Sequence, residues 1–107
     1  MKTVYIASPY SEGDIAVNVK RQIDAASDLI GYGLVPYAPL LSHFLHIVHP
    51  QPYEKWLEVD LEWVKRCDIF LRLEGKSKGA DIELQLAKSL NKKIYYNLGL
   101  LILKEAL

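Results

Sequence analysis

The feature that most constrains this chain is a strand, a tight turn and a helix in direct succession between residues 68 and 90. Ile69-Phe70-Leu71-Arg72-Leu73 is an almost continuous apolar run, as expected for a parallel strand covered on both faces. Soon after it, Ser77-Lys78-Gly79-Ala80-Asp81-Ile82-Glu83 opens a helix whose period continues through Leu90. A Ser-Gly turn between a strand and a helix offers free backbone N–H groups and the positive end of the helix dipole, a ready-made anion site. On the helix, Ala80, Glu83, Ala87 and Leu90 share a face, with Leu86 beside them. Glu83 therefore interrupts an apolar stripe, and the alanines one turn before and after it leave room around its carboxylate. An inward charge is costly unless it is partnered or used. A tilt to solvent or a salt bridge to a nearby lysine would answer the same pattern.

The rest of the chain repeats the alternation. Thr3-Val4-Tyr5-Ile6-Ala7 reads as a buried first strand running into the loop Ser8-Pro9-Tyr10-Ser11. Ser11 is the expected N-cap of the next helix, with Glu12 and Asp14 in its first turn. Ile15, Val19, Ile23, Ala26 and Ile30 keep a helical period up to Gly31 and Gly33, and Leu34-Val35-Pro36-Tyr37 makes a second strand. Residues 38–52 hold or adjoin four of the five prolines and read as a functional loop, with one irregular helical turn near 40–47. Residues 53–66 form a helix whose apolar residues are Tyr53, Trp56, Leu57, Leu61, Trp63 and Val64, and Asp60 sits inside that stripe. Ile94-Tyr95-Tyr96 is a fourth strand and residues 98–107 a short last helix.

Strands alternating with helices imply a parallel sheet with right-handed crossovers. The expected fold is α/β, a flavodoxin-like or Rossmann-like three-layer sandwich with strand order 2-1-3-4, formed by residues 1–107 as a single domain. That order brings the ends of strands 1 and 3 together at the switch point, where open sheets bind ligands. The loop at residues 8–13 and the turn at 77–79 would then face one crevice.

Thirteen basic and 13 acidic side chains in 107 residues give no footprint for polymeric nucleic acid or an acidic membrane surface. No apolar run reaches the length of a membrane span, and the N-terminus reads as a strand rather than a signal peptide, so a soluble cytoplasmic protein is expected. The single Cys67 excludes a disulfide framework and is expected to be a small buried hydrophobe. His43, His46 and His49 do not converge on one helix face and lack a fourth ligand, so no metal is expected. His43 alone is expected to line a ligand pocket, with structural or solvent-facing roles for the other two. Trp56 and Trp63 fit core packing or a subunit interface better than base stacking. Lys76 and Lys78 flank the anion turn and suit either phosphate steering or solvated surface. Residues 100–103 are more apolar than so small a core needs, which points to a homo-oligomer, dimer or higher.

If Asp60 and Glu83 both reach the crevice, two inward carboxylates stand beside a phosphate-sized helix terminus. Such a pair is the usual equipment for breaking a glycosidic bond, one as nucleophile and one handling protons. The helix N-terminus and a tyrosine hydroxyl, for which Tyr5 is best placed, would help keep the nucleophile ionised. Tyr5 also reads as simple strand packing. The same groups could hold Mg²⁺ and a phosphate, and spacing alone does not choose.

The segments Tyr5-Ile6-Ala7-Ser8-Pro9-Tyr10-Ser11, Asp60-Leu61-Glu62-Trp63-Val64-Lys65-Arg66-Cys67-Asp68 and Ser77-x-Gly79-Ala80-x-x-Glu83 together resemble the nucleoside 2-deoxyribosyltransferase superfamily. The resemblance runs over roughly residues 3–97 and is closest to its compact branch. That branch holds the nucleoside 5′-monophosphate N-glycoside hydrolases and small bacterial and phage proteins. It implies an enzyme acting on a small-molecule nucleoside or nucleotide, without a cofactor. Glu83 matches the nucleophile, Tyr5 the tyrosine that orients it, and Asp60 the aspartate that contacts the base and helps protonate its ring nitrogen. Ser77 stands where the monophosphate hydrolases have a serine near the 5′-phosphate, with Gly79 in the same turn. Ser8, Ser11 and Gly13 lie in the loop over sugar and phosphate. Asn97 is the candidate for a residue lent to a neighbouring subunit's site. Hydrolase is preferred to transferase on Ser77 and chain length. The rivals are a non-catalytic nucleotide-binding module of the same fold and a purely structural interaction protein, which leaves both inward carboxylates unexplained.

Overall fold

The computed structural model describes residues 1–106, and its centre is the strand β1 (Thr3–Ala7). β1 pairs in parallel with β2 (Val35–Tyr37) on one side and β3 (Ile69–Arg72) on the other, and β4 (Lys93–Tyr95) closes the far edge. The four strands lie in the order β2-β1-β3-β4, as the alternation of elements predicts. The pleat then sorts the side chains. Val4, Ile6, Ile69 and Leu71 point to one face and pack with Ala25 and Leu29 of α1 (Ile15–Gly31) and Leu101 of α5 (Leu98–Glu105). Tyr5, Ala7 and Phe70 point to the other, against Val64 of α3 (Tyr53–Arg66) and Ala80, Leu84 and Ala87 of α4 (Lys78–Ser89). Burying each large apolar side chain in these two layers stabilises the fold by ~1.5–3 kcal/mol. The result is the expected three-layer α/β sandwich. Cys67 is buried in the second layer. No helix of the described residues is long and apolar enough to cross a membrane.

Several local boundaries differ from the sequence reading, each for a physical reason. The N-cap of α1 is Asp14, not Ser11: its carboxylate accepts the Val17 N–H at 3.0 Å. Ser11 and Glu12 stay in the loop, where they remain available to the crevice. The buried face of α1 carries Val19, Gln22, Ala25 and Leu29, while Ile15, Ile23 and Ile30 are exposed. Periodicity follows bulky apolar residues, whereas small Ala25 and hydrogen-bonding Gln22 are what permit close approach to β1. On α4, Leu84 takes the inner position expected for Leu90, which is half-exposed at the C-cap. The proline-rich segment holds more order than a single turn: a 3-10 turn at Pro39–Leu41 leads directly into α2 (Ser42–Val48). The last helix ends at Glu105, and the expected extension to residue 107 lies outside the described residues.

Glu105 ties the chain ends to the sheet. Its buried carboxylate accepts Lys2 Nζ at 2.6 Å, Tyr95 Oη at 2.5 Å and Lys93 Nζ at 3.3 Å, joining the residue before β1, the edge strand β4 and helix α5. Hydrogen bonds from Lys2 and then Tyr95 outweigh burial and hold the carboxyl down to about 2. A carboxyl depressed in the fold contributes stability at pH values above its unfolded pKa of 4.5, and that contribution is lost as pH falls towards about 2. Glu105→Gln should therefore be less stable than the native chain at pH 7. The gap should close on acidification from pH 4.5 to about 2, as read by urea unfolding at several pH values.

Candidate active site

The carboxyl ends of β1 and β3 open into a cleft of about 520 Å³ between the β1–α1 loop, the 3-10 turn, α2, α3 and the start of α4. Glu83, from the second turn of α4, and Asp60, from the middle of α3, both line it. Ser8 and Ser11 enter from the β1 side, Ser77 and Gly79 from the α4 turn, and His43 from α2. Three expected site residues stand elsewhere. Tyr5 is fully buried within the second apolar layer rather than in the lining. Gly13 turns the backbone before α1 at φ +88° and is not part of the lining. Asn97 caps α5 by accepting the Leu100 N–H at 2.9 Å and is not part of this chain's own lining, as a residue expected at a neighbouring subunit's site would not be.

Electrostatics at the centre are set by burial. Glu83 is only 7% exposed, and desolvation, followed by the charge of Asp60, pushes its carboxyl up to about 8. Tyr5 and Arg72 pull the other way without compensating. Desolvation likewise raises half-buried Asp60 to about 7. Helix-dipole reasoning anticipates an ionised Glu83; in the folded chain desolvation wins, and the two carboxyls hold protons near neutrality. Tyr5 is stacked between Tyr37 and Phe70, with ring centroids 5.8 and 5.6 Å away. Its buried hydroxyl makes no hydrogen bond of ordinary geometry, yet Glu83 lies close enough to act on it as an acceptor. Burial first, then the charge of Glu83, keeps the phenol well above its usual range and so protonated.

The surrounding shell includes residues that sequence reasoning passed over. Arg72, buried at the end of β3, donates to the carbonyls of Leu73 and, at 2.8 Å, Gly75, and to Asp81 at 3.0 Å. It fixes the β3–α4 loop and is the nearest cationic influence on Glu83. A charge inside the run Ile-Phe-Leu-Arg-Leu was the available signal. Gln22, with no exposed surface, donates to Ile6 O at 3.2 Å and Ser8 Oγ at 2.8 Å and accepts the Leu40 N–H at 2.8 Å. One amide thereby orients the Ser8 hydroxyl and pins the loop after β2. Ser77 Oγ accepts the Ala80 N–H at 3.1 Å, leaving its own proton for a ligand. A Cβ at Gly79 would lie 3.2 Å from Tyr53 Oη, a tight contact that the exposed Tyr53 ring could relieve by a small shift. Gly75, at φ +121°, packs where a Cβ would lie 2.7 Å from Pro9, locking the two loops that flank the switch point. His46, expected outside the pocket, lines it together with Trp56, whereas Trp63 stacks on Tyr37 at 4.8 Å and is not part of the lining. No group of three or more His, Cys, Asp or Glu among the described residues could hold a metal ion.

A family model described as a domain of unknown function, DUF7768, matches residues 2–97. The chain belongs to that family. Among solved structures, a 2-desoxiribosyltransferase from Leishmania mexicana is similar with a TM-score of 0.65 and 20% sequence identity, covering 90% of this chain and 63% of that one. The chain thus has the nucleoside 2-deoxyribosyltransferase-like fold while spanning less than two thirds of that enzyme's length. A comparison with curated protein sequences finds no match.

The raised carboxyl of Glu83 has a thermodynamic consequence. Between its unfolded pKa of 4.5 and about 8 the native state binds more protons than the unfolded chain, so this group's contribution to stability falls as pH rises through that window. Glu83→Gln keeps the shape and removes the penalty. Its melting temperature should exceed the native value, by an amount that grows from pH 5 to pH 9 and corresponds to ~1–2 kcal/mol at the upper end.

Proposed function

We propose that the chain cleaves the N-glycosidic bond of a nucleoside 5′-monophosphate, or of the free nucleoside, through a covalent glycosyl-Glu83 intermediate. The observation that carries this reading is a nearly buried Glu83 lining the cleft together with Asp60 of the neighbouring helix, beside a helix N-terminus with an uncommitted serine proton. The shared fold with a 2-deoxyribosyltransferase supports nucleoside chemistry of this class. Glu83 attacks the anomeric carbon from the face opposite the base; the C–N bond breaks and the ring nitrogen takes the proton of Asp60. Water then adds to the same carbon, giving its proton back to Asp60 and releasing Glu83, so configuration is retained. Tyr5, protonated beneath Glu83, orients the carboxylate, and Arg72 supplies the positive field that favours its ionised form. Ser77, Gly79 and Lys78 at the start of α4 suit a 5′-phosphate. Ser8 and Ser11 face the sugar. Hydrolysis is preferred to transfer because Ser77 and the short chain resemble the monophosphate hydrolases, and an anion site at Ser77 suits their 5′-phosphate.

A cleft whose two carboxyls keep their protons near neutrality also suits a non-catalytic nucleotide-binding module, and turnover separates the two. The test is free-base release from a panel of ribo- and deoxyribonucleosides and their 5′-monophosphates. The native chain should release base, and Glu83→Ala should lower the rate at least ~10³-fold. Release only on addition of a second base would make it a transferase; binding without release would leave the binding module. The profile of kcat/KM should be bell-shaped with limbs near 7 and 8, the pair titrating together. Asp60→Asn removes the charge that raises Glu83, so the acid limb should move to lower pH and the basic limb disappear.

We further propose that the chain works as a homo-oligomer. None of the residues of α2 is buried, and Phe44, Leu45, Ile47 and Val48 expose more than half of their surface, as does Leu103 of α5. Light scattering should give a mass of twice the chain or more; a monomer at micromolar concentration would refute self-association.

A further inference from the structure

His46 and Trp56 meet in the cleft wall in an arrangement that the proposed chemistry does not use. Trp56 Nε1 donates to His46 Nδ1 at 2.7 Å, and the backbone N–H of Gln51 reaches the same nitrogen at 3.2 Å. An indole N–H and an amide N–H can only donate. Nδ1 must therefore carry the lone pair, and the ring proton sits on Nε2. His46 lines the cleft, and Nε2–H is the one polar group it still has to offer there. His43, three residues earlier, makes the contrast: its Nδ1 meets Tyr10 Oη at 2.5 Å, and a hydroxyl can either give or take a proton. His43 can present either polarity, whereas His46 is a fixed donor.

The placement of that donor suggests what it reads. Trp56 and Asp60 lie one turn apart on α3 and both line the cleft, so His46 stands one turn along the wall from the proton-handling carboxyl. Pro39, Leu40, Trp56 and Leu57 give this side an apolar, aromatic wall suited to a flat heterocycle, whereas the start of α4 suits an anion. A base seated here turns its outer edge to His46, and an exocyclic substituent protrudes farthest from that edge. A carbonyl oxygen there accepts the Nε2 proton. An amino group there sets two donors face to face, leaving both desolvated and unpaired.

We infer that His46 is a specificity-determining donor that selects bases carrying an exocyclic oxo group over their amino counterparts. This rests on the N-glycosidic reading of the same cleft and names its substrate class: 6-oxopurines or 4-oxopyrimidines as leaving groups.

Free bases test it without needing turnover. Calorimetric titration of hypoxanthine against adenine, and of uracil against cytosine, should show the oxo member binding tighter by on the order of tenfold in the pair that the cleft admits. His46→Gln, whose amide can turn either a donor or an acceptor to the base, should bring that ratio close to one while the melting temperature holds. Equal affinity within each pair, an amino preference, a ratio that survives His46→Gln, or no binding of any of the four bases would overturn the assignment. Should the variant not fold, long-range ¹H–¹⁵N spectra of the native chain decide. They should show His46 protonated at Nε2 and not Nδ1, with its signals moving on addition of the oxo member of a pair, hypoxanthine or uracil, but not of its amino counterpart; a proton on Nδ1, or equal response within both pairs, overturns it. Turnover without oxo selectivity sinks the His46 role alone, and oxo-selective binding without turnover sinks the enzyme reading alone.

Discussion

The desolvation of Glu83 is the constraint on which the rest of the arrangement turns. A carboxyl carried into an apolar layer by helix periodicity is tolerable only if its surroundings are prepared for both of its charge states. Tyr5 below offers a proton to the anion, Arg72 nearby offers positive field, and Asp60 opposite penalises ionisation while it is itself charged. The balance leaves Glu83 protonated at neutral pH and within easy reach of ionisation, which is the condition under which a small local change switches its chemistry. Two alanines flanking it on α4 keep the space open, and both are buried against the sheet.

That preparation depends on the sheet. Parallel registration puts Tyr37, Tyr5 and Phe70 side by side on adjacent strands, so their rings form one stacked layer that cannot tilt singly. Tyr5 is thereby fixed by its stacked neighbours alone, since its hydroxyl makes no hydrogen bond of ordinary geometry. Gln22 does the equivalent on the opposite face, where one fully buried amide sets the carbonyl end of β1, a cleft hydroxyl and the loop after β2 at once. The two faces of the sheet thus position the two sides of the crevice through different physics, aromatic packing in one case and hydrogen bonding in the other.

Much of this was legible in the sequence because it is carried by pattern. The apolar runs at β1 and β3 mark the central strands and the alternation of elements marks a parallel sheet, consistent with the order found. Glu83 and Asp60 announce themselves as charges within stripes. What pattern misses is polar chemistry that looks ordinary in one dimension. Gln22 reads as a surface residue until α1 is seen to rotate its isoleucines outward. His46 reads as solvent-facing because its partners Gln51 and Trp56 lie within and beyond a proline-bounded break that periodicity does not bridge. Asp14 outcompetes Ser11 as a cap by a three-residue offset that composition does not distinguish. Arg72 was visible as a charge in an apolar run, but its loop acceptors appear only once the turn is folded.

The crevice is mechanically lopsided. On one side Gly75 is wedged against Pro9 and Arg72 clamps the loop, so the turn before α4 is held from two directions. On the other, α2 contributes two histidines to the lining yet buries none of its own residues, and its opening free energy is accordingly small. An occupant would therefore meet one wall held by packed loops and one wall with little buried contact of its own, and ordering α2 would add to the entropic cost of capture. Tightening this short helix, by a neighbouring subunit or by substitutions on its outer face, would fix His43 and His46 in the lining and so sharpen whatever discrimination those two side chains exert.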